Sequence, residues 1–116
     1  MTFICYEKCS TCKKAENWLV KHKLSFKKRA IKDETPSSKE LEDYWKRSNL
    51  PIKKFFNTSG LIYRELNLKE KLKTMSEQEQ LELLSSNGML IKRPLLITEK
   101  NVLVGFNSKK WETELI

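Results

Sequence analysis

The feature that most constrains this chain is where its cysteine pair sits. Cys9-Ser10-Thr11-Cys12 falls between a short apolar run, Thr2 to Tyr6, and a segment whose apolar residues repeat at helical spacing. Thr2 to Tyr6 is rich in aromatic and β-branched residues and predicts a strand. From Ser10 to about His22, Cys12, Ala15, Trp18, Leu19 and His22 fall on one helical face. A Cys-x-x-Cys at a strand-to-helix junction puts Cys9 at a helix N-terminus. There, unpaired backbone N–H groups and the helix dipole favour negative charge. Lys8, Lys13 and Lys14 add positive charge nearby, so Cys9 is expected to be a thiolate nucleophile of lowered pKa. Cys12, one turn on, is close enough to bridge it and is the expected resolving thiol.

The rest of the chain predicts how that junction is built into a fold. Ser25 to Ile31 fits a second strand. A helical middle follows, with capping boxes at Ser37/Glu40 and Ser76/Glu79. Pro51 suits the first turn of a short helix, and Asn67 a cap for Leu68 to Leu72. Asn87-Gly88 reads as a helix end with a left-handed residue. Strand chemistry returns at Pro94 to Thr98 and Val102 to Val104, separated by the hairpin-sized Glu99-Lys100-Asn101, and Asn107 or Ser108 can cap a last helix. The order β-α-β, helices, β-β-α predicts an α/β fold: a single domain over 1–116, with a four-stranded mixed sheet and a helical insertion at about 36–88.

With 116 residues there is material for one core. The 39% hydrophobic content lacks any run long enough to span a membrane. The first residues show no basic-then-apolar leader, so the expected compartment is the cytoplasm, where cysteines are reduced. The net charge of +8 is concentrated: nine basic residues and one acid, Glu16, lie between Lys8 and Lys32. Such a field suits a thiol, disulfide or oxyanion substrate, or an acidic protein surface. No aromatic interleaving or DNA-binding spacing accompanies it, so no direct nucleic-acid partner is expected.

A zinc site drawn from Cys5, Cys9, Cys12 and His22 is disfavoured, because ten helical residues separate Cys12 from His22 by about 15 Å. Cys5 reads as a small buried strand residue and His22 as a helix C-terminal residue. Trp18, Trp45 and Trp111 read as core anchors. Lys92-Arg93-Pro94 has two readings. One is a proline tolerated at a strand start. The other is a cis-proline turn near the cysteines, with Arg93 aimed at a thiolate or oxyanion.

Four stretches taken together resemble the glutaredoxin-like arsenate reductase superfamily, most closely its Spx/MgsR and YffB-like branch. They are Cys9-x-x-Cys12-x-Lys14-Ala15, Phe56-Asn57-Thr58-Ser59-Gly60-x-x-Tyr63-Arg64-x-Leu66, Lys92-Arg93-Pro94-Leu95 and Val104-Gly105-Phe106. The resemblance implies a thioredoxin-like fold, a nucleophilic Cys9 and a cis-proline at Pro94. On that basis Cys9 and Cys12 are the expected catalytic pair, and Arg93, Pro94, Ser10 and Thr11 the expected substrate face. No bound cofactor or metal is expected, and glutathione or a thioredoxin-type protein is the expected reductant. Asn57 and Phe106 stand where classical reductases carry anion-binding arginines, which argues against arsenate itself as substrate. The Spx-type alternative implies a redox sensor that docks an acidic RNA polymerase subunit. The segment from Lys46 to Asn57 is shorter than the polymerase-contact region of those regulators.

Overall fold

The computed structural model describes residues 1–116. Strands β1 (Thr2–Cys5), β2 (Lys27–Ala30), β3 (Leu95–Ile97) and β4 (Val102–Val104) form one sheet in the order β2-β1-β3-β4. β1 pairs parallel with β2 across helix α1 (Ser10–Lys21), while β1/β3 and β3/β4 are antiparallel. The expected four-stranded mixed sheet is therefore present. Between β2 and β3 lie α2 (Ser38–Ser48), α3 (Leu61–Glu65), α4 (Leu68–Lys71) and α5 (Glu77–Ser86), with 3₁₀ turns at Ile52–Phe55, Leu72–Thr74 and Gly88–Leu90. Helix α6 (Ser108–Leu115) closes the chain.

Side chains alternate across a strand, and here the alternation builds two cores. Ile4, Leu95, Ile97 and Val102 face the insertion and pack with Leu41, Phe55, Phe56, Leu81 and Leu84. Phe3, Cys5, Leu96 and Leu103 face the other way, onto Cys12, Ala15, Leu19 and Trp111. The inward face of α1 is the one its sequence spacing predicts. Edge strand β2 is blunted by exposed Lys27 and Lys28.

Both expected capping boxes form. Ser37 and Ser76 each accept the N–H of the glutamate three residues on, and each glutamate carboxylate accepts the cap N–H in return. Asn107 caps α6 through the Lys110 N–H. Two local expectations need correction. Asn67 precedes α4 but is itself left-handed (φ 52°) and makes no side-chain cap bond. Asn87 is extended (φ −158°), with its Oδ1 accepting the Met89 N–H. Gly88 is needed for space, since a Cβ there would sit 2.3 Å from the Ile31 carbonyl oxygen. The insertion's end thus packs closely on the β2–α2 junction, against Ile31 and Thr35.

Candidate functional site

β1 ends at Cys5, and the next residue, Tyr6, organises the site with its backbone. The Tyr6 carbonyl accepts the Cys9 N–H at 3.1 Å, fixing the loop that lifts Cys9 to the start of α1. The Tyr6 N–H donates to Cys12 Sγ at 3.4 Å. Cys9 occupies the N-cap position in an extended conformation and is half-buried. Cys12, in the first turn, is 3% exposed. All three cysteines are free thiols.

The two thiols of the pair are electrostatically unequal. Burial works to raise the Cys9 thiol, but it is outweighed. The Cys12 backbone N–H, the Cys12 thiol and the Arg93 guanidinium all favour the Cys9 anion, so Cys9 lies below the ordinary thiol range. Burial pushes Cys12 the other way, to about 12, against the opposing Tyr6 N–H, and the neighbouring Cys9 adds to the rise. Cys12 thus stays protonated beside Cys9. Cys5 is also raised, chiefly by burial.

Arg93 enters from the start of β3, the strand paired with β1. The Arg93–Pro94 peptide bond is cis, as the resemblance implies. The segment is tied at both ends: the Lys92 N–H donates to the Phe55 carbonyl and the Gly105 N–H to the Pro94 carbonyl, each at 2.8 Å. Gly105 has φ +74°, which a glycine adopts freely. The Arg93 guanidinium carbon lies 5.3 Å from the Tyr6 ring centroid, and one of its nitrogens is 3.5 Å from Met89 Sδ. The insertion therefore contributes Met89 to the arginine's seat.

The structure thus brings Cys9, Cys12 and Arg93 together, with Pro94 following directly. Ser10 and Thr11 are exposed on the first turn of α1. Lys8, Lys13 and Lys14 are also exposed, and the influences that lower Cys9 come from Cys12 and Arg93 instead. Arg64 is exposed on α3 and engages no side chain. Phe106 packs edge-on against Trp111 at 4.9 Å, within an aromatic cluster that includes Trp18. His22 stacks on Trp18 at 4.0 Å, with Nδ1 2.8 Å from the Trp18 carbonyl oxygen. No three His, Cys, Asp or Glu side chains converge on a metal-sized site, and no helix is long and apolar enough to cross a membrane.

Sequence reasoning missed Tyr6 and Met89. Tyr6 was legible only as the last residue of a strand run, and its part is played by backbone. Met89 carries no charge or motif to mark it.

Comparison with known proteins agrees with this architecture. The ArsC family model matches residues 5–113. The chain is 54% identical over 112 residues to the Bacillus subtilis protein YusI, covering 97% of this chain and 95% of that one. It is 32% identical over 107 residues to the regulatory protein MgsR of the same organism, covering 92% and 83%. Among solved structures, an ArsC family related protein from Bacteroides fragilis matches with a TM-score of 0.94 at 50% identity, covering 97% of this chain and 94% of that one. With this sheet, this Cys9–Cys12 pair and these relatives, the chain belongs to the ArsC family, within the arsenate reductase and Spx-like superfamily.

Proposed function

We propose that this protein is a thiol–disulfide oxidoreductase that uses Cys9 as nucleophile and Cys12 as resolving thiol. The observation that carries this reading is the half-buried Cys9 at the start of α1, with Arg93 facing it and the Cys12 thiol beside it. The Cys9 thiolate attacks one sulfur of a substrate disulfide and expels the other as a thiolate. Cys12, deprotonated as it attacks, displaces the second substrate thiol and leaves a Cys9–Cys12 disulfide. Two electrons pass to the substrate. Arg93, with Pro94, lines the face on which the substrate settles.

Small disulfides fit this site better than arsenate. Arg93 is the one arginine acting on Cys9, and Asn57 and Phe106 supply no second or third guanidinium. A tetrahedral oxyanion held by a single fork lacks the charge-assisted contacts that would bind it firmly.

The test is a redox titration with mass mapping of all three cysteines, followed by disulfide capture. A reversible Cys9–Cys12 disulfide is expected. Cys9→Ser abolishes capture of a small disulfide, and Cys12→Ser accumulates the mixed disulfide on Cys9. Equal capture by both single variants would sink this division of roles.

A second reading is favoured by the likeness to the regulatory protein MgsR. The same pair then acts as a sensor, with the basic surface between Lys8 and Lys32 docking an acidic protein such as a polymerase subunit. Capture of polymerase from cytosol that depends on redox state, without turnover of small disulfides, would favour the sensor. Turnover without capture favours the enzyme.

A further inference from the structure

Cys5 is the thiol that the Cys9–Cys12 mechanism leaves unused. It ends β1 and is 6% exposed. Alternation along the strand turns Phe3 and Cys5 towards α1 and Ile4 towards the insertion, so Cys5 shares a buried cluster with Cys12. The Tyr6 nitrogen, whose N–H donates to Cys12 Sγ at 3.4 Å, is two covalent bonds from the Cys5 Cα. Cys12 Sγ is therefore no more than about 6 Å from that Cα. A cavity of about 410 Å³ adjoins both residues and gives their side chains room to turn, and Cys9 is not in its wall. Acidic side chains outnumber basic ones in that wall, so the cavity does not invite an anionic thiol from solution. Cys12 thus has two thiol neighbours, Cys9 at the start of the helix and Cys5 on the strand.

We propose that Cys5 is a third redox thiol, which takes Cys12 from the Cys9–Cys12 disulfide and leaves a Cys5–Cys12 disulfide with Cys9 free. This rests on the oxidoreductase reading above and adds a second stage to it. Cys5 loses its proton to water and its sulfur bonds to Cys12 Sγ. The Cys9–Cys12 bond breaks, and its electron pair leaves on Cys9. One disulfide replaces another, so no oxidant or reductant is consumed. The freed Cys9 thiolate can then attack a second substrate disulfide and expel one thiolate. With Cys12 already engaged, nothing resolves that mixed disulfide, and it persists on Cys9.

Two features set the direction. Thiol–disulfide exchange is faster when the leaving sulfur is the more acidic one. Cys9 is that sulfur, and Arg93 and the Cys12 N–H still favour its anion once Cys12 Sγ is in a disulfide. The new disulfide also joins the two thiols that burial raises, whose anions the protein stabilises least. Burial keeps most of Cys5 protonated, so the exchange follows formation of Cys9–Cys12 and does not compete with it.

The experiment uses the full-length protein and 2-hydroxyethyl disulfide as the probe. One equivalent is added at neutral pH, and samples are quenched with acid over time. Free thiols are blocked with N-ethylmaleimide in mild acid, and the disulfides are mapped by mass. Cys9–Cys12 is expected first, converting to a majority of Cys5–Cys12 with the maleimide on Cys9. With excess probe, one hydroxyethylthio group should accumulate on Cys9 of the protein that holds Cys5–Cys12. Arg93→Gln should lower the ratio of Cys5–Cys12 to Cys9–Cys12 by about tenfold, the cost of one charge-assisted contact. A Cys9–Cys12 disulfide that persists as the main form with the maleimide on Cys5, or a ratio unchanged in Arg93→Gln, overturns this proposal alone. If neither disulfide forms, the oxidoreductase reading fails and this proposal falls with it.

Discussion

The Arg93 guanidinium lies over the Tyr6 ring, 5.3 Å from its centroid, while its charge acts on Cys9. A cation over an aromatic face loses conformational freedom without losing charge, so Tyr6 positions the group that stabilises the thiolate. Arg93→Gln removes that charge, and the pKa of Cys9 rises. Alkylation of Cys9 by iodoacetamide at pH 7 should slow by about tenfold, the cost of losing one charge-assisted contact. Tyr6→Leu should give a smaller change in the same direction. An unchanged pH profile for Arg93→Gln would place the stabilisation elsewhere.

Cys12 supports Cys9 with two groups, its backbone N–H and its thiol. Cys12→Ala keeps the first and removes the second, whereas Cys12→Ser replaces the thiol with another donor. The midpoint of Cys9 alkylation should therefore move upward in pH for Cys12→Ala and less for Cys12→Ser. Across the range in which Cys9 ionises, Cys12 itself, with a pKa near 12, should stay unmodified in the wild type.

Glu40 binds Arg29 with both oxygens, at 2.7 and 3.0 Å, and closes the Ser37 capping box. Its hydrogen bonds with Arg29, with Ser37 adding to them, hold its carboxyl down to about 2, from an ordinary 4.5, despite an opposing contribution from burial. A carboxylate held low stabilises the fold above its unfolded pKa, and that contribution disappears as pH falls from 4.5 towards 2. Its side chain is 40% exposed, so solvent screening limits the gain to about 1 kcal/mol. Urea melts should show Glu40→Gln less stable than wild type by that amount at pH 7, with the gap closing at the acid end.

At Gly88 the constraint is room. A Cβ would meet the Ile31 carbonyl oxygen at 2.3 Å and its carbon at 2.9 Å, and both are backbone atoms of a buried residue. Gly88→Ala should cost about 2–3 kcal/mol through forced displacement. Denaturant unfolding should show a lower midpoint with an unchanged slope.

These residues also mark how far the site could be read from sequence. Capping boxes are local, so Ser37/Glu40 and Ser76/Glu79 were legible from four-residue patterns, as was the inward face of α1. The nucleophile's position was legible because a strand, a Cys-x-x-Cys and a helix follow one another directly. The charge that acts on Cys9 was harder to place. Lysines adjacent in sequence drew attention, but exposed ammonium groups are strongly screened. Arg93, more than eighty positions away, arrives through the β1–β3 pairing and is packed against Tyr6 and Met89. Gly88 was misread because a glycine after a helix usually signals backbone freedom, and its actual constraint lies in the non-local carbonyl of Ile31.

The sheet separates two cores, one shared with α1 and α6 and the other with the insertion. The thiol pair is seated wholly on the first, and the insertion touches the site chiefly at its exit, through Met89 and the tie between Lys92 and Phe55. Helices α2 to α5 are thus a cassette. Their outer surfaces can be rewritten while the cysteine pair on the opposite face stays as it is, provided the exit seam is kept. Diversification of such a chain is free to proceed on one side of a membrane-thin partition, four strands wide, without renegotiating the chemistry on the other.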